Sequence, residues 1–243
     1  MPPVRGLDPM SLTAWEGRVA AVIHLQGCNL ACPGCPTPHL VARNPGLGTI
    51  PLESVLESVY TRRRWLDAVV VSGGEPTIHE GLPELVRLLH DFGLVVRLHT
   101  NGSHPDVLRA VLDAGDVASV SMTLRAPLDP TYTQAAGTKV RLAALYESVE
   151  RLLRDDGEHE FRVPWLTGVV EAEQMISVLR MLAGARRVVL EPGLDGRPGV
   201  RPLRRVGRAA GHYVESCVVA GRPSEDFGRS ARSRAAARGR TAS

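Results

Sequence analysis

Cys28, Cys32 and Cys35 stand within eight residues, in the stretch Gly27-Cys28-Asn29-Leu30-Ala31-Cys32-Pro33-Gly34-Cys35 that directly follows the apolar run Val19 to Leu25. Thiolates at this spacing can converge on one metal centre from a loop, and three of them leave one iron of a four-iron cluster without a protein ligand. An open iron is a reactive one. A structural zinc site wants four ligands, usually as two separated pairs, and only His39 or the distant Cys217 could complete it. A disulfide framework fits less well, because three clustered cysteines are odd in number and nothing resembles a signal peptide. Cys217 stands alone and reads as a buried, inert thiol.

The elements that must position this loop follow from hydrophobic periodicity. Arg18 to Leu25 is β-branched and apolar and reads as a buried first strand. After the turn-rich Asn44-Pro45-Gly46-Leu47-Gly48, Pro51 to Trp65 carries Leu52, Val55, Leu56 and Val59 at helical spacing. Strands are then expected at Ala68 to Ser72, Val95 to Thr100, Ala118 to Leu124, His159 to Val163 and Arg187 to Glu191. Helices are expected at Leu82 to Asp91, Pro105 to Ala114, Val140 to Arg154 and Glu171 to Leu182. Short apolar strands alternating with helices imply a parallel sheet covered by helices. Cys28, Gly73 and Thr100 each fall at the C-terminal end of an expected strand, the face on which parallel barrels carry chemistry.

The chain of 243 residues, 44% of them hydrophobic, suffices for one sizeable domain. No apolar run is long enough to span a bilayer. The formal charge of +3 resides in the tail: from Arg222 onward six Arg oppose Glu225 and Asp226, a local +4, so the remainder carries −1. A nucleic-acid partner is therefore not expected. The organisation reads as an N-terminal edge segment (1–17), a main domain (18–200), a C-terminal extension (201–220) and a basic tail (221–243). Phe227 is the tail's one large apolar residue, and such a composition is expected to stay disordered.

The Cys-x3-Cys-x2-Cys spacing followed by Ser72-Gly73-Gly74-Glu75-Pro76 resembles the radical S-adenosylmethionine (SAM) superfamily. Further residues bring the chain close to the activating enzymes of glycyl radical enzymes. They are Pro9 to Arg18, Leu25-Gln26-Gly27-Cys28-Asn29-Leu30, Pro38-His39-Leu40-Val41, Thr100-Asn101-Gly102-Ser103 and Glu160-Phe161-Arg162. The resemblance implies an α/β fold built as a partial (β/α)6 barrel of parallel strands. It implies that Cys28, Cys32 and Cys35 bind a [4Fe-4S] cluster, that SAM chelates the remaining iron, and that reductive cleavage gives a 5′-deoxyadenosyl radical. The cofactors carry this chemistry, and the protein places them and excludes water.

By the same resemblance Ser72, Gly73 and Gly74 bring backbone close to SAM and its amine. Glu75 fixes that loop, and Thr100, Asn101 and Gly34 lie near the cofactor. The implied partners are a glycyl radical enzyme, such as anaerobic ribonucleoside-triphosphate reductase, and a flavodoxin- or ferredoxin-type electron donor in the cytoplasm. A radical SAM enzyme acting on a small molecule, similar to 7-carboxy-7-deazaguanine synthase, is the alternative within the superfamily. A non-catalytic iron-sulfur protein is the alternative outside enzymes.

The chain departs from the activase pattern near the cluster. Gly34 replaces an aromatic, Pro36-Thr37 replaces His-Asn, His99 replaces an Asp, Thr123-Leu124-Arg125 replaces Asp-x-Lys, and Val163-Pro164 stands where threonines are usual. With two acids gone, Arg125 is the candidate partner for the SAM carboxylate, because a guanidinium meets a carboxylate with two parallel hydrogen bonds. His24, His79, His90 and His104 are expected to pack or face solvent. His39 keeps a family position.

Overall fold

A computed structural model describes residues 1–41, 48–192, 200–220 and 222–228. It divides into two units: one of Met1–Ala31 with Pro36–Ser121, the other of Cys32–Cys35 with the chain from Met122 onward. The turn at residues 44–47 and the tail beyond Gly228 lie outside the described residues.

In the first unit β1 (Val4–Ser11) runs antiparallel to β2 (Ala20–Leu25), as an edge strand laid on the cysteine-bearing one. A short helix α1 (Pro38–Val41) and α2 (Leu52–Arg62) lead to β3 (Ala68–Gly73), which pairs in parallel with β2 from Ala20↔Ala68 to Leu25↔Gly73. After α3 (Leu82–Asp91) comes β4 (Val95–Thr100), parallel to β3, and then α4 (Pro105–Asp113). The central strands bury nearly every residue, as strands covered on both faces must. Helix α3 buries Leu82, Leu85, Val86 and Leu89, the i, i+3, i+4, i+7 set of an amphipathic helix. At about 1.5–3 kcal/mol per buried side chain, that stripe docks the helix. The chain passes to the second unit along β5 (Ser119–Thr123). Ala118 N donates to Val96 O at 3.0 Å before it, and Leu124 N donates to Arg162 O at 2.9 Å after it.

In the second unit α5 (Thr131–Ala136) and α6 (Leu142–Arg154) precede β6 (Glu160–Pro164), followed by α7 (Ala172–Met181), β7 (Arg187–Glu191), α8 (Val200–Ala210), β8 (Ser216–Val219) and β9 (Arg222–Asp226). Strands β6, β7 and β8 are parallel, and β9 is antiparallel to β8. Helix α6 buries Leu145, Val149 and Leu152, and α7 buries Met175, Val178 and Leu179.

The helices and strands expected between residues 18 and 191 are present, with ends shifted by a few residues at most. Three features differ from expectation. The edge segment 1–17 contains a strand, because an edge position leaves Pro9 without a ladder bond to lose. The extension 201–220 is not an appendage: β8 continues the parallel sheet one strand beyond Glu191. The tail expected to be disordered from Gly221 supplies β9 from residues with no large apolar side chain. Asp226 replaces burial as its anchor. Its Oδ1 accepts from Cys217 N at 2.9 Å and Gly228 N at 2.8 Å, and its Oδ2 accepts from Ser216 Oγ at 3.1 Å. Phe227 N donates to Cys217 O at 2.7 Å, and the Phe227 ring lies so close to Gly207 that a Cβ there would meet it at 2.8 Å.

The turn between α6 and β6 is held by Asp155, whose Oδ1 accepts from Gly157 N at 2.9 Å and His159 Nε2 at 2.7 Å while Oδ2 pairs with Arg151. Burial opposes the Asp155 charge, but the hydrogen bonds from Gly157, His159 and Arg151 outweigh it and hold the carboxyl down at about 2, from 3.8. His159 is shifted the other way: burial lowers it against the pull of Asp155, so the imidazole is neutral at pH 7 and donates from Nε2.

Two outcomes follow. Removing residues 221–243 should destabilise the chain by roughly 1–2 kcal/mol, about 3–6 °C in Tm for a chain of this size, since it strips the β8 edge and the Asp226 bonds. A Tm equal to that of the full chain would show β9 to be dispensable. Asp155→Asn should cost about 2 kcal/mol near neutral pH. A depressed carboxylate pKa stabilises fully above 3.8 and less as pH falls toward about 2. Urea unfolding of both proteins should therefore converge in acid and diverge above pH 5.

Candidate active site

The cysteine loop leaves β2 at Leu25 and is pinned at its base from three sides. Gln26 N donates to Pro3 O at 3.0 Å, Gly27 N donates to Leu40 O at 2.7 Å, and His79 Nε2 lies 2.7 Å from Gln26 O. A carbonyl can only accept, so His79 carries its proton on Nε2. This histidine, expected merely to pack or face solvent, is a loop anchor.

Gly73 and Gly74 are glycines because the chain's own backbone occupies the space of a side chain. Gly73 has φ of +128°, and a Cβ on it would stand 2.2 Å from Leu25 O; one on Gly74 would stand 2.0 Å from Gly27 O. The close approach expected toward a cofactor is thus made first against the end of β2. Gly74 N donates to Leu25 O at 3.0 Å and Glu75 N to Gly27 O at 2.8 Å, while Thr37 Oγ1 donates to Gly73 O at 3.4 Å. With those two amides spent inside the loop, carbonyl oxygen is what it can offer an ammonium group. Ser72, half-buried, lies on β3 opposite His24.

Glu75 is 1% exposed and accepts four hydrogen bonds. Thr77 N at 3.1 Å, Thr77 Oγ1 at 2.5 Å and Thr100 Oγ1 at 2.6 Å reach its Oε1, and Asn101 N at 2.6 Å reaches its Oε2. The expected role of Glu75 in fixing the loop is visible here, and so is its reach: it ties the end of β3 to the end of β4. From that junction Asn101 Nδ2 donates to Asn29 Oδ1 at 3.0 Å, and Asn29 Nδ2 donates to Ser103 Oγ at 2.8 Å. Ser103 N closes the ring on Asn101 Oδ1 at 2.9 Å. Cys28, half-buried, accepts at its sulfur from Leu30 N at 3.4 Å. Asn29, Thr77 and His79 were not singled out from the sequence, although Asn29 follows Cys28 directly.

The second unit holds the other two cysteines. Cys35 N donates to Cys32 O at 3.1 Å, closing a turn around Pro33 and Gly34. A Cβ on Gly34 would meet Leu166 Cδ2 at 3.0 Å, so this glycine accommodates the leucine that follows β6. Burial pushes the Cys32 thiol up, Arg125 pulls it down by charge and a hydrogen bond, and Cys35 adds to the rise. Arg125, just beyond β5, is half-buried; its Nε is buried without a hydrogen-bond partner, and no carboxylate pairs with it among the described residues. His99 and Thr123 are half-buried. On β6, Arg162 donates from Nε to Glu191 Oε1 at 2.8 Å and from Nη1 to Glu160 Oε1 at 3.1 Å. Burial disfavours the Arg162 charge, but Glu191 and Glu160 more than offset it and raise its pKa.

Among the described residues no three His, Cys, Asp or Glu side chains are gathered into a metal-binding group. The donor set nevertheless suits an iron-sulfur cluster: three partly accessible thiols on one loop, one of them facing a guanidinium. Cys217 is no candidate ligand, since burial, with Asp226 adding and Arg187 opposing, pushes its thiol to about 12.

Residues 22–181 match the family model of the radical SAM superfamily, and the chain belongs to that superfamily. Its members use a [4Fe-4S] cluster and S-adenosylmethionine. Among named relatives, a Methanocaldococcus jannaschii protein, provisionally named a glycyl-radical enzyme activating enzyme, is 27% identical over 128 residues, 52% of this chain and 51% of that one. The 7-carboxy-7-deazaguanine synthase of Aquifex aeolicus is 33% identical over 87 residues, 36% of this chain and 38% of that one. The chain thus spans about half or less of the relatives it matches. The crystal structure of Streptococcus suis SuiB bound to precursor peptide SuiA superposes with a TM-score of 0.66 at 13% identity, covering 82% of this chain and 48% of that one. That likeness shows the α/β fold.

Glu75→Gln tests the junction. The amide keeps the size but sets an NH2 group among four donors, so it should cost about 2–4 kcal/mol in urea unfolding. Thr100→Val, which removes one donor, should cost about 1 kcal/mol. Equal stability of wild type and Glu75→Gln would show that the carboxylate does not hold these loops.

Proposed function

We propose that this chain is a glycyl radical enzyme activase, acting on a separate enzyme such as anaerobic ribonucleoside-triphosphate reductase. The observation that carries the reading is the sequence similarity to relatives named for glycyl-radical enzyme activation, at 27–34% identity. The geometry is compatible with it. Cys28, Cys32 and Cys35 would hold three irons of the cluster. When bound, the cluster supplies the electron that breaks a carbon–sulfur bond of SAM so that hydrogen can be taken from the substrate. The Gly73-Gly74 loop would present carbonyl oxygen to the SAM amine, and Thr100 and Asn101 would line the same edge. Arg125 would meet the SAM carboxylate, a role supported by its buried, unpartnered Nε. A flavodoxin- or ferredoxin-type protein would deliver the electron, and a reducing cytoplasm suits the free thiols. No described helix is long and apolar enough to cross a membrane.

A second reading, an enzyme acting on a small molecule, is favoured by the 33% identity to the Aquifex aeolicus synthase. Anaerobic reconstitution with iron and sulfide, followed by reductant and SAM, should give 5′-deoxyadenosine. Adding an anaerobic ribonucleotide reductase from the same genome should give a glycyl radical signal in electron paramagnetic resonance. Ala at Cys28, Cys32 or Cys35 should abolish both, and Cys217→Ala should leave both intact. SAM cleavage with no protein radical, but with 7-carboxy-7-deazaguanine formed, would establish the second reading. A loaded cluster without SAM cleavage would overturn both in favour of a non-catalytic iron-sulfur protein.

A further inference from the structure

Arg125 stands directly against a cysteine, and its surroundings define what its charge acts on. Its guanidinium donates to the sulfur of Cys32. No carboxylate among the described residues shares that guanidinium, in contrast to Arg162 on the neighbouring β6, which is matched to Glu191 and Glu160. The turn carrying Cys32 is also shielded: Leu166, only 8% exposed, rests on Gly34 between Cys32 and Cys35, and Trp165 beside it is 7% exposed. A permanent cation next to sulfur in a partly desolvated turn exerts more force than one in water.

We propose that Arg125 is a positioning residue that sets the reduction potential of the cluster, by donating a charge-assisted hydrogen bond to the sulfur of Cys32. The inference rests on the reading that Cys32 ligates that cluster. Reduction adds an electron, and hence negative charge, to the iron-sulfur core and its thiolates. A fixed positive charge and an N–H donor at one thiolate stabilise the reduced form more than the oxidised one, so the potential rises. Net charge, hydrogen bonds to sulfur and solvent exposure are the levers by which proteins move cluster potentials. Arg125 supplies the first two here, and Leu166 limits the third. The consequence is a cluster that a modest electron donor can charge. This action differs from binding the SAM carboxylate, because it operates before SAM arrives.

The test is a potentiometric titration of the full chain, reconstituted with iron and sulfide and followed by electron paramagnetic resonance without SAM. Arg125→Gln keeps length and a donor but removes the charge; Arg125→Lys keeps the charge but loses the planar fork. Gln should shift the reduction equilibrium at least about tenfold toward the oxidised cluster, a fall of about 59 mV for one electron, with Lys in between. A Gln variant that loads iron fully and titrates with the wild type overturns the proposal. So does loss of iron from both variants, which would make Arg125 a residue that builds the turn. A wild-type chain that takes up no cluster at all refutes the underlying reading, a result separable from either of these.

Discussion

One buried carboxylate governs the first unit's active edge. Glu75 draws donors from the turn after β3 and from the end of β4, and no other arrangement of these loops would satisfy a nearly fully buried acid. Leaving such a group unpaired costs several kcal/mol, so the loops come as a set. Asn101, once placed by Glu75, holds Asn29, and Asn29 sits next to Cys28. The position of the first cysteine is therefore linked, through three side chains, to an acid that ligates nothing.

The two glycines before Glu75 complete this constraint. A Cβ at either position would overlap the backbone of Leu25 or Gly27, far inside contact distance, so no side chain is tolerated whatever the cofactor requires. The Gly-Gly pair lets the ends of β2 and β3 lie against each other, and the loop carbonyls are positioned as a result. Chemistry and packing select the same residues here, which is why the motif is so legible in sequence.

Legibility elsewhere followed the source of stabilisation. Elements fixed by burial, such as α3 with its Leu82, Leu85 and Leu89 stripe or β4 with Val96 and Leu98, announce themselves through period. Elements fixed by backbone pairing and single polar anchors do not: β1 carries Pro9, and β9 ends in the acids Glu225 and Asp226, with Asp226 doing by hydrogen bonding what an apolar face would do elsewhere. The site divides the same way. The thiols and glycines stood out by type and spacing, but Thr77 and His79 act through hydrogen bonds between residues 2 to 53 positions apart, which no local pattern records.

The departures from the activase pattern share an electrostatic direction. Where that pattern has acids, this chain has His99 and Thr123, and the cation that would have faced them is an arginine. Removing acids while keeping a cation makes the edge of the second unit more positive, and Arg125 has no carboxylate to spend its charge on among the described residues. Charge left uncompensated in a half-buried place must be balanced by what binds there. A cysteine thiolate and a substrate carboxylate are both anions of the right reach, and a guanidinium with five N–H donors can address two acceptors at once. The fold leaves the protein or small-molecule substrate undetermined. The charge balance around Arg125 instead fixes which ionic form of the cofactors this site prefers, and that preference distinguishes this chain from relatives that keep their acids.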